Sequence, residues 1–275
     1  MNTTILKYPG SKNRLADKII SLFTDNYREM TYIEPFFGSG AVFFNKAPSI
    51  IETINDIDGE VYNLFFQIRE NSEELSRLIR FTPWSRQEYE KSFCRNKSKI
   101  ENARRFLIRT YFAIGGINYC RTGWRHNIKS NNGNLENFEN LPQIILETAY
   151  RLRPKRGNIV QIENRDAFSL IEKYNRENVL MYLDPPCISD TIKRRYYTYD
   201  FKNEDHVRLC ELINNSKAYI ILSGYENEIY NTHLKAFRKT SLFSYDEKGN
   251  KRIEVIWTNY KSTINLFDQF EEAAS

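Results

Sequence analysis

The chain has 275 residues, 41% hydrophobic and 27% charged, a globular composition long enough for one large domain or a domain carrying an insertion. No apolar run nears the roughly 18 residues that cross a bilayer, and Asp17 and Lys18 interrupt the one apolar stretch near the N-terminus. No signal peptide or membrane anchor is therefore expected, and a cytoplasmic location is. The four cysteines form no C-x-x-C pair and the three histidines are scattered, so neither a metal site nor a disulfide framework is expected.

The net charge of +5 is unevenly spread. Residues 77–156 hold 17 Lys/Arg, 6 Glu and no Asp, a net +11, which leaves the remainder at −6. A basic block on an acidic body is the footprint of a segment that meets phosphate, and equally that of a solvated basic helix surface.

In chain order, a helical pattern at 14–23 precedes β-rich runs at 31–33 and 50–54 and a second helical pattern at 59–70. The alternation then stops. Residues 72–80, 85–93 and 100–114 read as helices, 115–134 as a Gly/Asn-rich loop, and 141–152 as a further helix. Strands return at 159–162, 179–183 and 218–222, with helices at 167–174 and 203–214 between and after them. A last pair, 240–245 and 253–257, is joined by a hairpin-type turn at 246–250. Strands followed by helices predict a mostly parallel α/β sheet with a C-terminal antiparallel hairpin at its edge. The expected domains are 1–70 with 156–275, split by a helical insertion at 71–155.

Two constellations carry chemistry. The run Tyr32-Ile33-Glu34-Pro35-Phe36-Phe37-Gly38-Ser39-Gly40 takes a strand through a glycine turn into a helix, and the next strand ends near Asp56. Glycines let a ligand approach the backbone, the helix N-terminus offers free N–H groups, and a carboxylate at the second strand tip suits both hydroxyls of a ribose. The pattern fits a nucleoside cofactor or an ordinary strand–helix turn. The absence of G-x-G-x-x-G disfavours a dinucleotide. The second run, Met181-Tyr182-Leu183-Asp184-Pro185-Pro186-Cys187, delivers a carboxylate to a strand end and fixes the turn with two prolines. Prolines carry no N–H, so the turn offers acceptors that suit a donating amine.

Together with Lys7-Tyr8-Pro9-Gly10-Ser11-Lys12 and Arg165-Asp166-Ala167-Phe168, these runs resemble the α-class, Dam-like N6-adenine DNA methyltransferases, in that family's order and over nearly the whole chain. The resemblance implies a Rossmann-like S-adenosylmethionine-dependent fold, with residues 71–155 in the place of the target recognition domain. It implies Tyr8, Lys12, Glu34, Pro35, Phe36, Gly38, Gly40, Asp56, Asp166, Phe168 and Asp184 at the cofactor. Asp184, Pro185, Pro186 and Cys187 fall at the catalytic D-P-P-Y. The methyl would pass directly to the N6 amine of a flipped adenine, leaving S-adenosylhomocysteine, with no metal.

Cys187 departs from the pattern, since the family places a stacking aromatic there. Three readings are open: Tyr196 or Tyr197 supplies the face, the position is engineered, or catalysis is impaired while binding persists. DNA contacts are expected from Asn118, Arg121, Trp124, Arg125 and Lys129 in the loop, because Arg suits guanine and Asn suits adenine. Arg194, Arg195, Tyr196 and Tyr197 are expected to clamp phosphate or wedge the duplex. Double-stranded DNA is the expected partner, with a monomeric chain and, in a restriction–modification setting, a partner endonuclease. The rivals are a DNA-binding pseudo-methyltransferase and an RNA adenine methyltransferase.

Overall fold

The computed structural model describes residues 5–7, 10–116, 119–126, 133–188, 201–245 and 251–261. Seven strands form one sheet in the order β3-β2-β1-β4-β5-β7-β6: β1 Thr31–Glu34, β2 Ile51–Asn55, β3 Ile159–Glu163, β4 Val179–Leu183, β5 Tyr219–Gly224, β6 Arg238–Tyr245 and β7 Lys251–Thr258. The first five run parallel. Strand β7 is antiparallel to both β5 and β6. The hairpin expected as an antiparallel edge is thus folded inward, with β7 between β5 and β6, so that β6 is the edge strand and runs in the direction of the parallel set.

The chain steps outward from β1 through β2 to β3, then returns to lay β4 against the other side of β1. Strand order reverses between β1 and β4, and ligands in open α/β sheets bind outside the strand C-termini at such a reversal. Side chains alternate between two cores with the period of two that a strand imposes. Tyr32, Leu180, Tyr182, Ile221 and Ile256 face one core; Ile33, Met181, Leu183, Ile220, Leu222 and Trp257 face the other.

Helices cover both faces. On the second lie α8 (Ala167–Lys173), α9 (Asn203–Asn214) and α10 (Glu228–His233). The first carries α1 (Ala16–Ile20), α2 (Ala41–Asn45), α3 (Gly59–Arg80), α4 (Arg86–Lys91), α5 (Lys99–Phe112), α6 (Gly133–Glu139) and α7 (Leu141–Leu152). Two predicted helices are therefore one: α3 continues through residues 59–80 with a break in helical geometry at Asn71 (φ −132°, ψ 37°). It packs against α5 and α7, and Phe106, Leu107, Ile145 and Leu152 share a continuous core with the sheet. Asp58, Ser85 and Ser98 cap α3, α4 and α5 by accepting from the Glu60, Glu88 and Glu101 amides.

A buried ionic cluster ties α7 to the sheet. Glu52, the second residue of β2 and fully buried, accepts from Arg151 Nη1 at 2.6 Å and Nη2 at 2.8 Å, from Asn158 at 2.9 Å and from the Lys46 ammonium. Burial alone would raise the Glu52 pKa, but Arg151 and Lys46 together hold it below the usual carboxylate range. Burial wins at Lys46, whose pKa falls to about 8 despite Glu52.

Candidate active site

Glu34 ends β1, Asp56 follows β2, Asp184 follows β4 and Asp166 caps α8, so four carboxylates gather at one end of the sheet. They line a cavity of about 250 Å³ together with Lys12, Pro35, Phe36, Gly38, Phe168 and Pro186. Of the expected cofactor residues, ten are among the described ones and nine of these line it. The exception is Gly40, which shapes the turn instead. Its φ is +67°, and a Cβ there would lie 2.4 Å from Phe37 Cζ, so this turn needs glycine. Tyr8 lies outside the described residues.

The Asp56 carboxylate is held by two backbone donors, Gly38 N to Oδ2 at 2.8 Å and Asp58 N to Oδ1 at 2.9 Å. Burial nevertheless dominates and raises its pKa to about 7. Glu34 is 2% exposed and takes the Tyr32 hydroxyl proton in a hydrogen bond. Burial outweighs that bond and lifts its pKa to about 8. Asp166 Oδ2 accepts from the Ser169 amide at 2.9 Å, which fixes the start of α8. The apolar wall is aromatic: Phe168 stacks on Phe201 (5.8 Å, 9° between planes), and Phe36 meets Phe201 edge-on at 5.5 Å.

Lys12 departs most from expectation. Its Nζ lies 2.8 Å from Asp184 Oδ1 and 3.3 Å from Glu254 Oε1, so it holds the Asp184 turn as well as lining the cavity wall. Burial would lower its pKa, yet the two carboxylates outweigh burial and hold the ammonium well above its ordinary range. Ser223 Oγ, on β5, also donates to Asp184 Oδ1 at 2.9 Å. Two donors on one oxygen lock the carboxylate's rotation.

On the far side of this turn lies a second cavity of about 20 Å³, lined by Pro185, Pro186, Cys187, His206, Ser223, Tyr225 and Glu254 among others. Asp184, Pro186 and Lys12 border both cavities. Burial raises the Cys187 thiol to about 11, so it is a neutral thiol and a poor nucleophile. Among the described residues no group of three or more His, Cys, Asp or Glu is placed to hold a metal ion, and no helix is long and apolar enough to cross a membrane.

The expected DNA contacts are scattered. Asn118, Lys129, Arg194, Arg195, Tyr196 and Tyr197 lie outside the described residues. Arg121 is exposed, with its guanidinium 5.4 Å from the Phe93 ring centre. Arg125 is tied to the helical layer, its amide donating to Phe112 O at 2.7 Å and its Nη2 to Ala113 O at 3.2 Å. Trp124 is half-buried against the core, stacked on His126 and covered by Arg86, a packing position rather than a free reading head. Sequence reasoning missed Ser39, which meets Ser11 at 2.8 Å, and also Phe201, Asp205, His206 and Ser223. Phe201 and Asp205 stand at the start of the helical pattern from 203, and neither has a role in the site expected from sequence.

A model of the D12 class N6 adenine-specific DNA methyltransferases matches residues 8–259. The chain is 25% identical over 278 residues to the type II methyltransferase M1.LlaDCHI of Lactococcus lactis subsp. cremoris, covering 92% of this chain and 94% of that protein. Among solved structures, the type IIG restriction endonuclease BpuSI aligns with a TM-score of 0.37 and 10% identity over 91% of this chain, which spans 24% of that enzyme. The span of the family match settles the family: the chain belongs to the D12 class of N6 adenine-specific DNA methyltransferases.

Proposed function

We propose that this chain transfers a methyl group from S-adenosylmethionine to the N6 amine of an adenine flipped out of duplex DNA. One observation carries the reading. Asp184, Pro186 and Lys12 border both the large cavity and the small one, so a methyl donor held in the larger cavity would lie against the same carboxylate that meets the acceptor amine.

The donor set suits the cofactor: an acceptor carboxylate at Asp56 for ribose hydroxyls, and aromatic rings at Phe36 and Phe168 against a flat base. Glu34 and Asp166 line the same wall and would meet its polar groups. When bound, the sulfonium supplies an activated methyl. This chain's own residues do the rest. Asp184 accepts a hydrogen bond from the adenine amine and stabilises positive charge developing on nitrogen. Because Lys12 and Ser223 both donate to Oδ1, Oδ2 is the oxygen presented to the amine. The Pro185 carbonyl is the second acceptor. Pro186 and Cys187 complete the turn.

Duplex DNA would lie along the inserted region, residues 71–155, which we assign to target recognition, the remainder being the catalytic domain. Arg121 supports this as an exposed cation on that region. The designation of the Lactococcus relative as a type II methyltransferase supports a place beside a restriction endonuclease. A second reading, DNA binding without full turnover, is favoured by Cys187, because base–aromatic stacking is worth about 1–3 kcal/mol and a thiol offers no ring.

The test is a labelled methyl donor supplied with duplex DNA, single-stranded DNA or RNA, for wild type and Asp184→Ala. Label on duplex adenines is expected, reduced about 100-fold or more in the variant with DNA affinity retained. Labelling of RNA alone would replace the reading with the RNA alternative. Tight DNA binding with no labelling would establish the binding-only protein.

A further inference from the structure

His206 belongs to none of the roles above, although it borders the smaller cavity beside Asp184, Pro185 and Ser223. It is 1% exposed, in the first turn of α9. Its Nδ1 lies 2.7 Å from the hydroxyl of Tyr230, which is 2% exposed. Its Nε2 is buried and has no hydrogen-bond partner among the described residues.

The proton positions follow from that pair. Burial pushes the Tyr230 phenol far above its ordinary pKa, so the hydroxyl keeps its proton. Burial lowers the His206 imidazole to about 4, so the ring is neutral at physiological pH. His206 Nδ1 is the one hydrogen-bond partner of the buried Tyr230 hydroxyl among the described residues, so the tautomer that satisfies that hydroxyl has it donating to Nδ1 and the single ring proton on Nε2. The smaller cavity is therefore bordered by Asp184, Pro185 and His206, whose Nε2–H is buried without an acceptor among the described residues. A buried donor without an acceptor is costly and rare in a finished core. It is reasonable where a ligand brings the acceptor.

We propose that His206 Nε2–H donates to a ring nitrogen flanking the amine of the target adenine, N1 or N7. This rests on the reading that the target base seats against the Asp184 turn, with its amine edge at the smaller cavity, whose about 20 Å³ admits an edge and not a whole ring. Acceptors for the amine beside a donor for the adjacent ring nitrogen match adenine's edge. Thymine would instead turn a carbonyl oxygen toward the Asp184 carboxylate, as would guanine by its O6 edge, while cytosine shares the amine–ring-nitrogen pair and is separated from adenine by size. The histidine thus contributes to the choice of base, a task the acceptor-only turn cannot complete, and Tyr230 is the positioning residue that fixes its tautomer.

Two readouts test this on the full chain. The first is methylation of duplexes carrying adenine, 1-deazaadenine or 7-deazaadenine, by wild type, His206→Gln and His206→Ala. Wild type should lose about tenfold in kcat/KM on one of the two deaza duplexes. His206→Ala should be equally slow on adenine and on that analogue, and His206→Gln, which keeps a donor, should recover part of the difference. Wild-type rates equal on all three duplexes would overturn the assignment and leave the methyltransferase reading intact. The second readout needs no turnover: nitrogen-15 NMR of the His206 ring should show the Nε2–H tautomer, and its signal should move when the adenine duplex binds. A ring signal unchanged by a bound duplex overturns the assignment even if the alanine variant fails to fold. A chain that neither binds nor labels duplex DNA overturns the parent reading, and His206's role with it.

Discussion

At the end of β4, the side chains of Lys12, Asp184 and Glu254 converge on one small volume, whereas the cations of residues 77–156 are spread out and some of them are spent on internal ion pairs. Arg104 bridges Glu88 and Glu101, Arg105 binds Glu101, Arg109 binds Glu60, and Arg151 binds Glu52. The +11 of residues 77–156 is therefore not one surface. Part of it is internal adhesive, and among the described residues the exposed Arg80, Lys91, Arg95, Lys97, Lys99, Arg121 and Arg156 are the cations left to face phosphate. Net charge in a segment counts side chains, while binding depends on which of them keep their charge facing solvent.

Substitutions can sharpen that contrast. The largest effect on stability is expected from Arg151→Met, which leaves Glu52 buried with less compensation. A loss of roughly 3 kcal/mol, toward the low end for breaking a buried ion pair because Lys46 remains, should appear in urea unfolding. A midpoint unchanged from wild type would mean the cluster is not what fastens α7. At the catalytic turn, Cys187→Tyr should raise the methylation rate about tenfold by restoring a stacking face. Equal rates and equal DNA affinity would remove stacking from the account of this position.

Arg121→Ala should weaken duplex binding about threefold to tenfold without shifting the unfolding midpoint, since the side chain carries no ion pair to Asp or Glu among the described residues. Loss spread evenly over sequences, with a shallower salt dependence, marks a phosphate contact; loss confined to one base position marks reading. The smallest effect concerns pH. Asp56 titrates near 7 when folded, above its ordinary 3.8. Its contribution to the stability of the unliganded chain is complete below about 3.8 and is lost as pH rises through about 7. Cofactor affinity should move the opposite way, rising between pH 6 and 8 as the carboxylate forms and accepts the ribose hydroxyls. Calorimetric titration of Asp56→Asn should show a flat profile, and a slope as steep as wild type would assign the titration to another group.

Much of this was legible because its causes are local. Strand β4 and helices α7 and α9 have the expected bounds, since an all-apolar run and two helical periodicities announce them. The glycine turn and the carboxylates at strand tips are likewise short-range patterns, and nine of the expected cofactor residues share one cavity wall. Helix α10 was missed although Asn227 caps it by accepting from the Tyr230 amide, because six polar-rich residues show no usable periodicity. Helix α6 opens on Gly133-Asn134, residues that read as loop. What the sequence hid was pairing across distance. Glu52 and Arg151 stand 99 residues apart, and His206 meets Tyr230 only because α9 and α10 pack together. Trp124 and Arg125 are expected at DNA by residue type, and their contacts with the helical layer were not legible in the sequence.

Helix α3 has a practical consequence for anyone who would exchange the recognition region for another. The helix starts beside Asp56 and passes into the inserted layer, losing helical geometry only at Asn71. A graft joined at Asn71 would cut where the hydrogen-bonded ladder is already interrupted. The return joint is less forgiving, because Arg151 must travel with the recipient's Glu52, not with the donor's helix. A chimera that keeps that pair should fold as one body, and one that splits it should express poorly whatever sequence its new region reads.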